Sequence, residues 1–210
     1  MEKYILDTNL FFNMEAGLGL GKKTEEIIIN LTDIASRLKK EKKVEFFMPP
    51  SIVSEFLGFF ENKEQSFLKN FLSIITIKSP EKSKINFPST VFYQLVEDIR
   101  TRSYRGLNIS EEEIESAGKS MMGGEDLGKK DFQIKIGATI KNFRNRYRNA
   151  TRTGFLDSVA DLDLIVLAKE QNGYLVSSDE GVITWGRYFG VKEIPTNLFS
   201  QKIMNSPHQG

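Results

Sequence analysis

Four aspartates, Asp7, Asp157, Asp161 and Asp179, carry the chemistry that this chain can offer. Asp7 ends the apolar run Tyr4-Ile5-Leu6, and Asp179 follows Tyr174-Leu175-Val176 after two serines. Asp157 and Asp161 stand one helical turn apart in Phe155-Leu156-Asp157-Ser158-Val159-Ala160-Asp161. Two strand ends and one helix face can bring all four to one point. Carboxylates gathered that closely raise each other's pKa. A divalent cation removes the conflict, and hard oxygen ligands suit Mg²⁺ or Mn²⁺. A single aspartate at a strand end is more often a turn or cap residue. Four in this order imply a shared metal site at one edge of an α/β sheet.

Composition narrows the chemistry further. The chain has no Cys, which excludes disulfides, zinc-thiolate sites and thiol nucleophiles. Its single His, His208, lies in a polar C-terminal tail, away from any His-based triad. Carboxylates, lysines and hydroxyls remain, so water is the expected attacking group. The formal net charge of +1 argues neither for nor against nucleic acid. No apolar run reaches the ~20 residues of a membrane span, and the N-terminus carries no signal-peptide core. A soluble cytoplasmic protein with no membrane partner is expected.

The elements that must position the aspartates alternate. Short apolar runs bounded by polar residues place strands at Lys3 to Asp7, Val44 to Met48, Ser73 to Lys78 and Tyr174 to Ser177. Val191 to Ile194 reads as a last edge strand. Thr24 to Lys40 reads as a helix with Thr24 as N-cap, Glu25 and Glu26 in its first turn, and Ile27, Leu31, Ile34, Ala35 and Leu38 facing inward. Ser51 is expected to cap a helix through Phe59 and Phe60, and Lys63 to Leu72 to form another. Leu156 to Gln171 reads as a helix ended by Asn172-Gly173, and Glu180 to Phe189 as a short one. Gly17, Gly19 and Gly21 lie too far past the first strand, and at the wrong spacing, for a dinucleotide loop. The alternation implies a parallel sheet with right-handed crossovers.

From about Pro80 to Thr153 strand signals vanish. Thr90 to Tyr104 reads as a helix with Phe92, Leu95, Val96 and Ile99 on one face. Ser110-Glu111-Glu112-Glu113 reads as a capping box for a short acidic helix. Met121 to Gly124 reads as a loop, and Asp126 to Thr153 as one long helix. The expected organisation is therefore residues 1–80 as the first part of an α/β domain, 81–153 as a helical-hairpin insertion, 154–199 as the second part, and 200–210 as a flexible tail.

Tyr4-Ile5-Leu6-Asp7-Thr8-Asn9 resembles the opening strand of PIN-domain nucleases, a hydrophobic strand ending in Asp-(Thr/Ser)-(Asn/Ser). Ala160-Asp161-Leu162-Asp163-Leu164-Ile165-Val166-Leu167-Ala168, continuing to Leu175-Val176-Ser177-Ser178-Asp179, resembles the family's second half. Glu55, in Ser54-Glu55-Phe56-Leu57, matches its usual glutamate. A PIN domain split by two helices, with Asp157 one turn before Asp161, is similar to the minimal protein-only RNase P group (HARP). The resemblance implies a three-layer α/β/α domain with a central parallel sheet and a projecting helical hairpin. It also implies removal of the 5′ leader from precursor tRNA, a large homo-oligomer formed through the insertion, and no RNA subunit. By the same resemblance Asp7, Asp157, Asp161 and Asp179 are catalytic metal ligands for Mg²⁺, with Mn²⁺ a plausible substitute. Glu55, Asn9, Ser177 and Asp163 stand as supporting residues, and Asp163 lies two residues past Asp161, on roughly the opposite side of the helix.

The long helix carries Lys141, Arg144, Arg148 and Arg152 within a narrow stripe at 100° per residue. Ile136, Ile140, Phe143 and Tyr147 form a second stripe opposite. Charged stripes are commonly only solvated. Here few acids offset the charge, and Arg favours bidentate phosphate contacts, so RNA backbone binding is expected. The alternatives are a toxin-type PIN ribonuclease acting on other RNA, or a non-catalytic RNA-binding assembly module. A haloacid-dehalogenase phosphatase would need an aspartate where Asn9 stands.

Overall fold

The computed structural model describes residues 1–13, 18–122, 128–156 and 158–205. These described residues fall into two compact units, one from residues 1–88 together with those after 155, the other from residues 89–155.

The first unit is built on five parallel strands: β1 (Glu2–Leu6), β2 (Val44–Met48), β3 (Thr76–Ile77), β4 (Tyr174–Val176) and β5 (Lys192–Glu193). Their order is β3-β2-β1-β4-β5, every neighbouring pair being parallel. The chain thus winds outward from β1 in one direction, then restarts at β4 and winds outward in the other. The split between β1 and β4 is the topological switch point, where the carboxyl ends of strands in such sheets leave a crevice. Tyr4, Ile5, Leu6, Leu175 and Val176 are almost wholly buried, as expected of central parallel strands covered on both faces.

Helices flank this sheet: α1 (Asn9–Phe12), α2 (Thr24–Lys40), α3 (Pro50–Gly58), α4 (Ser66–Ile74), then α7 (Val159–Gln171), α8 (Glu180–Tyr188) and α9 (Thr196–Met204). One group packs α2 against α4 and α9, the other α7 against α3 and α8. Ile27, Leu31, Ala35 and Leu38 of α2 are buried as the spacing predicts, joined by Ile28, while Ile34 is only half-buried. The three-layer α/β arrangement expected from the sequence is therefore present.

Several helix ends differ from expectation. Lys23, not Thr24, is the N-cap of α2, because the Thr24 hydroxyl donates instead to the Phe11 carbonyl at 3.0 Å. Pro49 precedes α3 and Pro50 opens it, its missing N–H being one the first turn leaves unpaired anyway. Ser51 donates to Asp163 Oδ2 at 3.0 Å rather than capping. Helix α4 extends to Ile74, leaving β3 shorter than the predicted strand. Residues from 200 do not begin as a tail: Phe199, Ser200 and Ile203 of α9 are buried, and the Phe199 ring packs on Tyr4.

The second unit is a hairpin of α5 (Thr90–Met121) and α6 (Lys129–Arg152). The sequence predicts a break before Ser110, yet α5 runs through it. A capping box needs its serine in extended backbone, whereas the Ser110 hydroxyl here donates back to the Gly106 carbonyl at 2.8 Å, a bond a helix interior accommodates. Gly106 is required because a Cβ would stand 2.8 Å from the Tyr147 ring of α6. Arg146 of α6 bonds Glu113 at 2.7 Å and also pairs with Glu112, and Asn142 donates to Glu113 at 2.8 Å. Arg146 holds the Glu113 carboxyl below its ordinary range. Arg102 ties the end of α6 by donating to the Thr151 and Thr153 carbonyls at 3.0 and 3.1 Å, with its guanidinium 4.6 Å over the Phe155 ring. Helix α6 starts at Lys129 with Gly128 as its N-cap, later than the sequence predicts, and Asp126 itself lies outside the described residues. Among the described residues, no helix is long and apolar enough to cross a membrane.

Candidate active site

Asp7 is the residue around which the switch point is built. Its backbone N–H continues the β1–β4 ladder to the Val176 carbonyl at 3.1 Å. That bond sets Asp7 directly beside Ser177 at the carboxyl end of β4. The Ser177 hydroxyl donates to Asp7 Oδ2 at 2.5 Å and accepts the Asp179 N–H at 2.9 Å. Asn9 Nδ2 reaches the same Asp7 oxygen at 3.3 Å. The carboxyl group is thus oriented by two neighbours while the residue remains only 2% exposed.

Burial raises the Asp7 pKa above its ordinary value, and the charges of Asp179 and Glu55 push it further the same way. The Ser177 hydroxyl and the Asn9 backbone N–H oppose this by bonding the ionised form. Thr8, which the sequence reading left without a role, is buried beside them. Its hydroxyl lies 3.1 Å from Glu55 Oε1 and 3.3 Å from Asp7 Oδ1. One proton cannot serve both carboxylates, so one of the two lacks a donor there. The signal for Thr8 was its place inside Asp7-Thr8-Asn9, between two residues that do face the site.

Asp179 has a structural duty as well. It is the N-cap of α8, its Oδ1 accepting the Val182 N–H at 3.0 Å. This fixes the side chain at a helix N-terminus that favours its charge and leaves its second oxygen for other partners. Asp161 sits in the first turn of α7, which packs on β1. Ser158 caps that helix, its Oγ accepting the Asp161 N–H at 3.0 Å. Helix α7 begins at Val159, not at Leu156 as the sequence predicts, because Ser158 is its N-cap; Asp157 lies outside the described residues.

Among the described residues, no three carboxylate or imidazole side chains are gathered tightly enough to hold one metal ion. Asp7, Asp161 and Asp179 therefore do not form a closed cage by themselves. Uncompensated carboxylates repel, and Mg²⁺ characteristically takes only one or two carboxylates and keeps several waters. An oxygen-only donor set around a buried carboxyl of raised proton affinity matches the chemistry of such an ion. Asp163 belongs elsewhere: it accepts from Ser51 and pairs with Lys82 at 3.0 Å, joining α7 to α3 and the turn at Lys82–Lys84.

On the hairpin, Lys141, Arg144, Arg148 and Arg152 are all exposed. Lys141, Arg144 and Arg148 have no acidic partner among the described residues. Arg146 points its charge at α5 instead. The sequence reading did not single it out, and the acidic triplet Glu111-Glu112-Glu113 was the signal available.

Known proteins place this architecture. Residues 3–206 match the model of the PINc domain ribonucleases. An RNA-free ribonuclease P from Pyrococcus horikoshii is 34% identical over 203 residues, covering 97% of this chain and 92% of the relative. Its counterpart in Thermodesulfovibrio yellowstonii is 31% identical, with 97% and 94% covered. That of Hyperthermus butylicus is 34% identical, with 93% and 84% covered. The chain belongs to the RNA-free ribonuclease P family of PINc domain ribonucleases. It is an endoribonuclease of a group that works without an RNA subunit. Ribonucleases with this domain generally depend on a divalent metal ion.

Proposed function

We propose that this chain removes the 5′ leader of precursor tRNA by hydrolysis, with Asp7 as the central carboxylate of the site. The observation that carries the reading is a buried aspartate at the sheet's switch point, turned toward Asp179 and Glu55 and held by Ser177 and Asn9. Asp7, Asp161 and Asp179, with Asp157 and coordinated waters, would hold Mg²⁺ or Mn²⁺. When bound, such an ion supplies neutralisation of phosphate charge and a more acidic water. Ser177 fixes the orientation of Asp7 and couples it to the backbone of Asp179. Thr8 positions Glu55 against Asp7. Water attacks the phosphorus and the bond to the leader's O3′ breaks, leaving a 3′-hydroxyl on the leader and a 5′-phosphate on the tRNA.

Lys141, Arg144, Arg148 and Arg152 contact the phosphates of the folded tRNA, reading shape rather than sequence. The hairpin also assembles copies of the chain. Its exposed apolar side chains include Phe92, Tyr93, Val96, Leu107 and Ile114, each more than half exposed. An open apolar groove of about 250 Å³, lined in part by Ile114, Ala117, Ile136, Ile140 and Phe143, lies between α5 and α6. Surface of this kind is characteristic of an interface. A cytoplasmic setting agrees with the proposed substrate.

The test is incubation of the purified protein with a 5′-extended precursor tRNA and Mg²⁺, followed by mapping of both product ends. A single cut yielding the mature 5′ end with a phosphate is expected. Scattered cuts, or a 5′-hydroxyl product, would overturn the reading.

A further inference from the structure

Phe59 and Phe12 form a pair that the catalytic machinery described above does not use. Their rings stack with centroids 4.0 Å apart and planes inclined by 26°. Phe59 is 57% exposed although it ends a helix whose other aromatic, Phe56, is fully buried. Phe12 closes α1, five residues after Asp7 and next to Asn13, whose Nδ2 donates to Ser178 Oγ at 3.5 Å beside Asp179. Phe59 follows Glu55 by four residues, so it stands on the same side of α3 about 6 Å further along the axis. Glu55 is itself joined to Asp7 through Thr8. The pair therefore sits at the rim of the carboxylate site, in the same compact unit. Phe12 is further braced by Phe56 and Phe60, with centroids at 6.0 and 5.8 Å. An exposed ring held rigid by a stacked partner costs little entropy when it takes a third ring on its free face. Unpaired bases stack on aromatic side chains irrespective of sequence.

We propose that Phe59, backed by Phe12, is a stacking platform for one unpaired nucleobase flanking the scissile phosphate, and so a positioning residue for the single-stranded leader. The proposal rests on the endoribonuclease reading of the same site. It predicts a dependence on having a base at one leader position but not on which base it is.

The experiment uses the full chain with a 5′-extended precursor RNA carrying a single abasic nucleotide, moved along the leader. For the wild type, one position should lower kcat/KM by about tenfold, the scale of losing one base–aromatic stack. Phe59→Leu should lower kcat/KM on the intact RNA by a similar factor and show no further loss with that abasic RNA, while Phe59→Tyr should behave as wild type. A parallel reading replaces the same base with 2-aminopurine and follows its fluorescence on binding without divalent ions. Wild type and Phe59→Tyr should quench it, and Phe59→Leu should not. Equal quenching by Phe59→Leu, or losses that multiply in full when variant and abasic RNA are combined, would overturn the platform. The quenching assay needs no cleavage, so a failure of the leader-removal reading appears separately, as a wrong or missing cut with the platform intact.

Discussion

The two units of this molecule solve opposite problems. The α/β unit encloses its polar residues: Asp7, Thr8 and Ser177 are each 2% exposed, knotted together at the switch point. The hairpin encloses almost nothing. Among its described residues only Val91, Gly106 and Glu113 are buried, and α6 has no buried residue at all. The buried carboxyl of Asp7 in the first unit stores an electrostatic cost that a cation can relieve. Exposed apolar and cationic surface in the second stores affinity that another macromolecule can use. One unit is organised for chemistry on a phosphodiester and the other for attachment.

Substitutions that respect this contrast should separate the two roles. The largest effect is expected for Asp7→Asn. It should lower cleavage at saturating RNA by at least roughly 100-fold, since even residues that merely support a metal ligand can cost that much. RNA affinity should be nearly unchanged. Substantial Mg²⁺-dependent turnover by a folded Asp7→Asn protein would remove Asp7 from the centre of the site.

Ser177→Ala follows. It deletes the hydroxyl that orients Asp7 and accepts from Asp179, and should lower kcat by roughly 10- to 100-fold with a weaker apparent affinity for Mg²⁺. An unchanged Mg²⁺ titration would reduce Ser177 to a turn residue.

The hairpin is tested by Arg144→Ala combined with Arg148→Ala. Loss of two phosphate contacts should flatten the slope of log affinity against log salt by about 1.4–1.8, with saturated turnover retained. A lost kcat with an unchanged slope would reverse the division of labour.

The smallest effect concerns stability. The Asp7 pKa is raised in the folded state, so the metal-free protein is favoured below the ordinary aspartate pKa. It loses that advantage as pH rises from this value through the raised native one. In chelator, the Tm of the wild type should fall relative to that of Asp7→Asn as pH increases over that window. Parallel Tm profiles would show that burial of Asp7 carries no such cost.

What could be read along the chain were features that a single segment decides. The apolar run before Asp7 needed only its neighbours to be a strand, and Asn172-Gly173 needed only its own backbone freedom to end α7; Asn172 does adopt a left-handed conformation there. The alternation of strands and helices was enough for a parallel α/β sheet with a helical insertion. Local signals failed where a distant partner outbid them. Ser110 looked like a cap, but α6 offers Tyr147 and Arg146 along a continuous α5. Ser51 looked like a cap and instead reaches across to Asp163. The last residues looked like a solvated tail, yet α9 covers Tyr4.

The same division holds at the site. Residue types and order alone determined that only carboxylates, lysines, hydroxyls and water were available for chemistry, and that Asp7 and Asp179 follow strands. The pairing of β1 with β4 is a contact between residues more than 160 positions apart, and no local pattern encodes it. That pairing puts the Ser177 hydroxyl on Asp7 and sets Asp179 close enough to raise its proton affinity, while the pairing of β1 with β2 brings up Glu55 from α3. Charge and burial act through space, so the strength of the site was decided by the tertiary fold.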